Sequence, residues 1–205
     1  MQNSNWDIAV LTGDFIASVN LPDRELDRAL ALVSDTITHI ADNAVLEFSR
    51  SRGDGWQAAL TSDASPLRVA LAISAALTAE GAGFATRTAI ATGQRSEGLP
   101  TDLNAATGPI FTASGRALDA LKGEQRIAHA TDAKTNACAR LADSIAQTWT
   151  ATQARTAVHL LHPKAPTRAE VAKSLGVSRQ AVDKSAHGAQ LPAILDALDL
   201  IETAG

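Results

Sequence analysis

The segment from residue 167 to residue 182, TRAEVAKSLGVSRQAV, constrains the fold of its part of the chain more than any other segment does. Thr167, followed three residues later by Glu170, is a capping box that begins a helix, and Gly176 ends that helix. Ala169, Ala172 and Leu175 recur on the predicted apolar face of this helix. Ser178 is a second N-cap, so a second short helix follows after a brief turn. Two short helices joined in this way are typical of a helix-turn-helix.

The residues at the start of the second helix suit the major groove of DNA, which such helices contact through their N-terminal turn. Arg179 can bond guanine bidentately, Gln180 can bond adenine, and Lys184 lies one turn further along. We therefore expect contacts to double-stranded DNA from Thr167, Ser178, Arg179, Gln180 and Lys184. A plain helical hairpin in a dimerisation or packing module is the alternative, because short motifs have false positives.

The charge of this region supports nucleic-acid binding, because phosphate contacts require Lys and Arg. Between residues 151 and 190, six basic residues stand against two acidic ones, which leaves four positive charges on a chain whose formal net charge is −4. The basic residues are Arg155, Lys164, Arg168, Lys173, Arg179 and Lys184, and the acidic ones are Glu170 and Asp183.

Cysteine usage and apolar runs indicate a soluble cytoplasmic protein without a membrane partner. Cys138 is the only cysteine, which excludes an intramolecular disulfide and a cysteine-based zinc cluster. The N-terminus lacks the pattern of a signal peptide, and no apolar run approaches the ~20 residues that span a bilayer. The histidines form no metal-ligand spacing and are expected at surface or cap positions; they are His39, His129, His159, His162 and His187.

The order of predicted elements before residue 130 is βαββαβαβ, which is typical of a ferredoxin-like α+β domain with an antiparallel sheet and helices on one face. Its predicted strands are 8–12, 44–48, 56–61, 84–92 and 125–130, and its helices are 21–43, 66–80 and one from 108. Residues 131–160 have continuous helical spacing. We therefore divide the chain into an α+β domain (1–130), a connecting helix (131–150) and a DNA-binding domain (151–205).

Two aspartates that follow glycines are candidate metal ligands. Asp14 ends the first predicted strand, and Asp54 lies in the hairpin turn between the second and third strands. If the first strand lies beside that hairpin, both carboxylates reach one edge of the sheet and can hold Mg²⁺ or Mn²⁺ together with substrate phosphates. The alternative is structural, because Asp-Gly favours tight turns and Gly-Asp can cap a turn.

Four segments resemble the signature segments of class III nucleotidyl cyclases. They are LTGDFIAS (11–18), RSRGDGW (50–56), RTAIATG (87–93) and GPIFTASGRAL (108–118). With the helix-turn-helix behind them, the chain resembles the SatD-type proteins, bacterial regulators that combine these two parts.

The resemblance implies roles for individual residues. Asp14 and Asp54 fall on the two metal-binding aspartates, and Arg50 falls on a purine-reading position. Arg116 falls on the arginine that stabilises phosphate charge in the transition state, while Thr112 stands where cyclases have its partner asparagine. Because cyclase sites form between subunits, the resemblance also implies a homodimer and a nucleotide ligand.

Two functions of different class follow from these patterns. The first is a DNA-binding transcriptional regulator whose cyclase-like domain dimerises and senses a nucleotide or another phosphorylated ligand. The alternative is a metal-dependent nucleotidyl cyclase or related phosphoryl-transfer enzyme, with Arg116 as its catalytic residue. A domain that has lost ligand binding and only dimerises is a third hypothesis.

Overall fold

The computed structural model describes residues 6–18, 21–51, 53–81 and 84–203. Within these ranges the strands are β1 (Trp6–Phe15), β2 (Val45–Arg50), β3 (Gly55–Thr61), β4 (Thr86–Arg95) and β5 (Ile127–His129). The α-helices are α1 (Asp23–Ala41), α2 (Pro66–Glu80), α3 (Pro109–Ala120), α4 (Ala133–Ala146), α5 (Ala151–Leu160), α6 (Arg168–Leu175), α7 (Arg179–Gly188) and α8 (Leu191–Thr203). No helix in these ranges is long and apolar enough to cross a lipid bilayer.

The five strands form one sheet in the order β2-β3-β1-β4-β5. Strand β1 is antiparallel to both of its neighbours, β3 and β4, and β2 is antiparallel to β3. Strand β5 is parallel to β4, because α3 carries the chain back between them. The predicted α+β class and the predicted element order are confirmed.

Helices cover both faces of the sheet, whereas the sequence predicted helices on one face. Successive residues of β1 point to opposite faces, so Leu11 lies in the larger core with α1 and α2, while Val10 lies in a smaller core on the other side. Ile110 and Phe111 of α3 pack in that smaller core. The strands are therefore apolar on both faces, and α3 shields the second face from water.

A close packing contact explains the glycine at position 13. The indole of Trp56 is fully buried against it, and its Nε1 donates a hydrogen bond to Thr86 Oγ1 at 3.1 Å. A Cβ atom at position 13 would lie 2.4 Å from two carbons of that indole and 2.7 Å from the carbonyl oxygen of Arg87. Gly13 therefore makes room for Trp56 at the centre of the sheet.

The predicted continuous helix over residues 131–160 is wrong, because α4 ends at Ala146 and α5 begins at Ala151. Thr150 and Gln153 form a capping box that begins a new helix at this point. Helix α5 packs on α2, and buried residues of α5 to α8 belong to the same core cluster as those of α1 and α2. The C-terminal helices are therefore joined to the sheet domain by a shared apolar core.

A buried arginine links α2 to α8. The Arg68 side chain is 5% exposed; its Nε donates to Glu202 Oε1 at 2.7 Å, and its Nη2 donates to Asp199 Oδ1 at 2.7 Å and Glu202 Oε2 at 2.9 Å. Burial alone would lower the pKa of Arg68, but the hydrogen bonds and charges of the two carboxylates outweigh it and raise the pKa. We call these three residues the Arg68 clamp.

We predict that removing Arg68 lowers the free energy of unfolding less than removing its two carboxylate partners does. In Arg68→Met, the remaining carboxylates of Asp199 and Glu202 are 67% and 25% exposed and can be hydrated, so the free energy of unfolding falls by about 1–3 kcal/mol. The double variant Asp199→Ala/Glu202→Ala leaves a buried charge unpaired and loses about 3–5 kcal/mol. Urea unfolding of the three proteins measures this order, and a larger loss in Arg68→Met would contradict it.

Candidate functional site

The first candidate site lies at the edge of the sheet where β1 ends, and we call it the carboxylate edge (Asp14 and Asp54). Asp14 lies directly across from Gly55 of β3, and Asp54 is the residue before Gly55 in the β2–β3 turn. Gly53 takes the left-handed conformation, with φ of +71°, and neither Asp54 nor Gly55 does. The backbone of this turn therefore does not itself require aspartate at position 54.

Arg87 holds the carboxylate of Asp14 from the neighbouring strand. The two residues are cross-strand partners in β1 and β4, and the guanidinium donates from Nε to Oδ1 at 3.0 Å and from Nη2 to Oδ2 at 2.8 Å. This bidentate geometry orients the carboxylate and compensates its charge. Sequence reasoning assigned no role to Arg87; an arginine within a strand of small apolar residues was the available signal.

The residues of the carboxylate edge fit a divalent ion only if a ligand supplies further oxygens. Each carboxylate oxygen of Asp14 accepts one hydrogen bond from Arg87 and keeps a lone pair, while Asp54 forms no hydrogen bond or ion pair with described residues. Mg²⁺ is commonly held by one or two carboxylates plus substrate phosphates. No group of three histidine, cysteine or acidic side chains in the described ranges could hold an ion alone.

The residue at the purine-reading position is engaged elsewhere. Arg50 ends β2, and its Nη1 donates to Asp27 Oδ1 of α1 at 2.5 Å. Its carbonyl oxygen accepts a hydrogen bond from Asn104 Nδ2 at 2.9 Å. The side chain is therefore directed to α1 and pairs with a carboxylate there.

Thr112 and Arg116 lie on the solvent side of α3. They are four residues apart and both exposed, whereas Ile110, Phe111 and Ser114 on the opposite side of this helix are buried. The side chains of Thr112 and Arg116 form no hydrogen bond or ion pair with any residue that the structure describes. Within one chain, they are therefore not bonded to the carboxylate edge.

A buried hydrogen bond positions α3 over the strand that carries Asp14. Thr12 Oγ1 and Ser114 Oγ share this bond at 2.9 Å, and Ser114 also donates to Phe111 O at 3.0 Å. Thr12 and Asp14 are two residues apart in β1 and so project to the same face of the sheet. The face that presents Asp14 is thus the face that α3 covers.

The second candidate site is the helix pair, defined as α6, the turn 176–178 and α7. Glu170 N donates to Thr167 Oγ1 at 3.3 Å and Thr167 N donates to Glu170 Oε2 at 2.8 Å, which confirms the predicted capping box. The hydrogen bonds from Thr167 lower the pKa of Glu170. Gly176 is left-handed at the end of α6, and Ser178 Oγ accepts from Ala181 N at 3.2 Å, so both predicted boundaries are confirmed.

The buried face of the helix pair differs in part from the predicted one. Ala169, which the sequence placed on the apolar face, is exposed, and Val171 is buried in its place beside Ala172. Val182 and Ala186 are the buried residues of α7. Val171 is buried in preference to Ala169 because burial of its larger apolar side chain contributes more free energy to folding.

The residues predicted to contact DNA are all exposed. Arg179, Gln180 and Lys184 lie on the open side of α7, and the Arg179 side chain is 72% exposed. Thr167 and Ser178 are also exposed while their hydroxyl oxygens cap the two helices. The first turn of α7 is therefore accessible to a large ligand.

Three of the five histidines are more enclosed than the sequence predicted. His129 is 7% exposed, and its Nδ1 accepts a hydrogen bond from Asp132 N at 3.2 Å. The rings of His39 and His162 lie 4.8 Å apart, at the junction of α1 with the loop after α5. Burial lowers the pKa of His129, and burial together with the charge of His39 lowers the pKa of His159 and His162. The expected surface position is therefore wrong for His129.

Together, the five-stranded sheet and the eight α-helices of the described ranges define a mixed α+β fold. No protein-family model matches the chain, and no curated protein matches it. It is similar to a bacterial light-regulated adenylyl cyclase, with 18% identity, 62% of this chain and 76% of the other covered, and a TM-score of 0.46. It is also similar to the guanylyl cyclase Cya2, with 18% identity, coverage of 68% and 81%, and a TM-score of 0.46.

We predict that the protein loses stability as the pH falls from about 7.5 to about 5.5. Three histidines have a folded-state pKa below the ordinary 6.5, so the unfolded chain binds more protons below pH 6.5 and is favoured there. Urea unfolding at both pH values measures the effect. The variant His159→Gln/His162→Gln should lose less on acidification than the wild type. Asp143, whose pKa is raised by burial, acts in the opposite direction in both proteins.

Proposed function

We propose that this protein is a DNA-binding transcriptional regulator of the SatD type, with a C-terminal helix-turn-helix and a cyclase-like domain that dimerises and senses a phosphorylated ligand. The observation that carries the proposal is the capped helix pair with Arg179, Gln180 and Lys184 exposed on α7. Such a role belongs in the cytoplasm of a bacterial cell. It is the function that best accounts for the positive C-terminal region of an acidic chain.

The geometry of the helix pair supports insertion of α7 into a major groove. The side of α7 that carries Val182 and Ala186 is buried against α5, α6 and α8, so the opposite side is presented to a partner. The N-terminal turn carries Arg179 and Gln180, side chains that can read guanine and adenine edges. The rigid caps at both ends of the turn hold this helix in a fixed orientation relative to α6.

Phosphate contacts would come from basic residues around α7. Lys173 of α6 and Lys184 of α7 are exposed and form no ion pair with described residues. Lys164, before α6, places its Nζ 3.8 Å from Asp42 Oδ2, and both side chains are largely exposed. A DNA phosphate can replace Asp42 in this pair at little cost, because exposed ion pairs are weak. Affinity from these contacts should fall steeply as the salt concentration rises.

The separation of the carboxylate edge from Arg116 supports a homodimer. In one chain, Asp14 and Asp54 lie at the end of the sheet, while the side chains of Thr112 and Arg116 are exposed on α3 and form no hydrogen bond or ion pair with them. A second copy can bring its own α3 to the carboxylate edge, so that a nucleotide or another phosphorylated ligand is held between subunits. Two copies also present two reading helices, which doubles the contact with DNA.

We predict that Arg179→Ala and Gln180→Ala each lower the affinity for the preferred DNA sequence by about 1–3 kcal/mol, because each removes a base contact. Lys173→Ala should instead weaken binding to all sequences alike. Fluorescence anisotropy on duplexes selected from a random pool measures these effects. Lys122→Ala, in the exposed turn after α3, is the matched control and should bind as the wild type does. Absence of any DNA binding at low salt would overturn the proposal.

A second candidate function is a metal-dependent nucleotidyl cyclase or related phosphoryl-transfer enzyme. The register that sets Asp14 beside the Asp54 turn favours it, because adjacent carboxylates can hold Mg²⁺ or Mn²⁺. A bound ion would supply charge stabilisation for a transferring phosphoryl group. Arg87 would orient Asp14, and Arg116 of a second subunit would neutralise phosphate charge.

We predict that an enzyme of this kind converts ATP or GTP in the presence of Mn²⁺ and loses turnover in Asp54→Ala. Product analysis after incubation separates the two functions, and Asp35→Ala, which removes an exposed carboxylate from α1, is the control. Conversion by the wild type and control, abolished in Asp54→Ala, would favour the enzyme. Equal product from wild type and Asp54→Ala, or no product from either, would exclude catalysis at the carboxylate edge.

A further inference from the structure

One carboxylate lies among the basic residues of the helix pair. Asp183 is one helical turn after Arg179 on α7, and its Oδ2 lies 3.8 Å from Arg179 Nε. Its Oδ1 lies 3.9 Å from Nε of Arg168, the first residue of α6. Asp183 therefore stands between two guanidinium groups from different helices.

The two arginines differ in exposure. The Arg179 side chain is 72% exposed, whereas that of Arg168 is 27% exposed, and Arg168 Nη1 is buried without a hydrogen-bond partner. Neither arginine pairs with another carboxylate in the part of the chain that the structure describes. Asp183 is thus the countercharge shared by Arg168 and Arg179.

The contact to Arg179 leaves its terminal nitrogens available. The contact to Asp183 is made by Nε, at the base of the guanidinium, and Nη1 and Nη2 pair with no residue that the structure describes. The fork of these two nitrogens can bond guanine O6 and N7 together. The carboxylate also repels DNA phosphates, which a nearby arginine would otherwise attract.

We propose that Asp183 is a specificity-determining positioning residue for DNA recognition by α7. This inference rests on the proposed function, because it concerns how the same helix discriminates sequences. Asp183 keeps Arg179 directed to a base edge and prevents it from turning to the nearest phosphate. It also keeps the charge of the helix pair low enough that non-specific binding does not obscure specific binding.

The strength of the contact is consistent with this role. An exposed ion pair contributes up to about 1 kcal/mol, which changes the population of a side-chain orientation up to about fivefold. Asp183, at 42% exposure, therefore biases Arg179 without locking it, and the arginine remains free to adjust to a base. Removing the carboxylate should redistribute Arg179 between base and phosphate while the fold is retained.

The test compares wild type, Asp183→Asn and the control Asp119→Asn, which removes the same charge from an exposed position on α3. A random duplex pool first identifies the sequence that the wild type prefers. Anisotropy titrations then use that duplex and a scrambled one at several salt concentrations. Asp183→Asn should bind the scrambled duplex about three- to tenfold more tightly, with a salt slope steeper by about 0.9 for one added phosphate contact.

Discrimination between the two duplexes should fall about two- to fivefold in Asp183→Asn and return in Asp183→Glu, which restores the charge. In an Arg179→Ala background, Asp183→Asn should leave discrimination unchanged, because the arginine through which it acts is gone. A merely structural role would lower discrimination in both backgrounds. Asp183→Ser, with thermal melting of every variant, provides a second replacement should the asparagine variant fold poorly.

The outcomes separate this inference from the proposed function. If the wild type selects a sequence and Asp183→Asn keeps its discrimination and salt slope, the role of Asp183 is overturned and the regulator stands. An equal effect of Asp119→Asn also overturns it, since the change would then reflect net charge alone. If the wild type selects no sequence, the proposed function fails, and this inference fails with it.

Discussion

The position of the C-terminal helices depends on the burial of one arginine. A guanidinium at 5% exposure is stable only when carboxylates compensate its charge, and Asp199 and Glu202 of α8 do so for Arg68 of α2. Trp149, in the segment between α4 and α5, also holds these helices in place, because its Nε1 donates a hydrogen bond to Ala189 O, between α7 and α8, at 2.8 Å. The orientation of α7, which packs against α8, is therefore set relative to the sheet.

Within one chain, the candidate ligand site consists of two separate parts, the carboxylate edge of the sheet and Arg116 on α3. The central strand of the sheet must accommodate Trp56, which requires Gly13, and the next residue, Asp14, then points to the face covered by α3. Because α3 buries one side in the core, Arg116 on its other side faces solvent. The proposed ligand site would therefore need a second chain to bring Arg116 to the carboxylate edge.

Local features of the structure were predictable, because they depend on residues close together in the chain. The capping box of Thr167 and Glu170, Gly176 and the Pro66–Glu80 helix arise from contacts over three or four residues. The break at residues 147–150 was missed although Thr150 and Gln153 carry the same local signal, since the apolar spacing continues across it. Helix α3 was placed on the wrong face because strand periodicity does not say which helix covers which side.

The amino-acid sequence by itself determined the order of the elements, the ends of most helices and the basic character of residues 151–190, because these follow from local propensity and side-chain charge. Only the tertiary structure decided the partners of the charged side chains. Arg87 and Asp14 are 73 residues apart, and Arg50 and Asp27 are 23 apart. Such pairs form after strands and helices have packed, and no spacing in the chain encodes them.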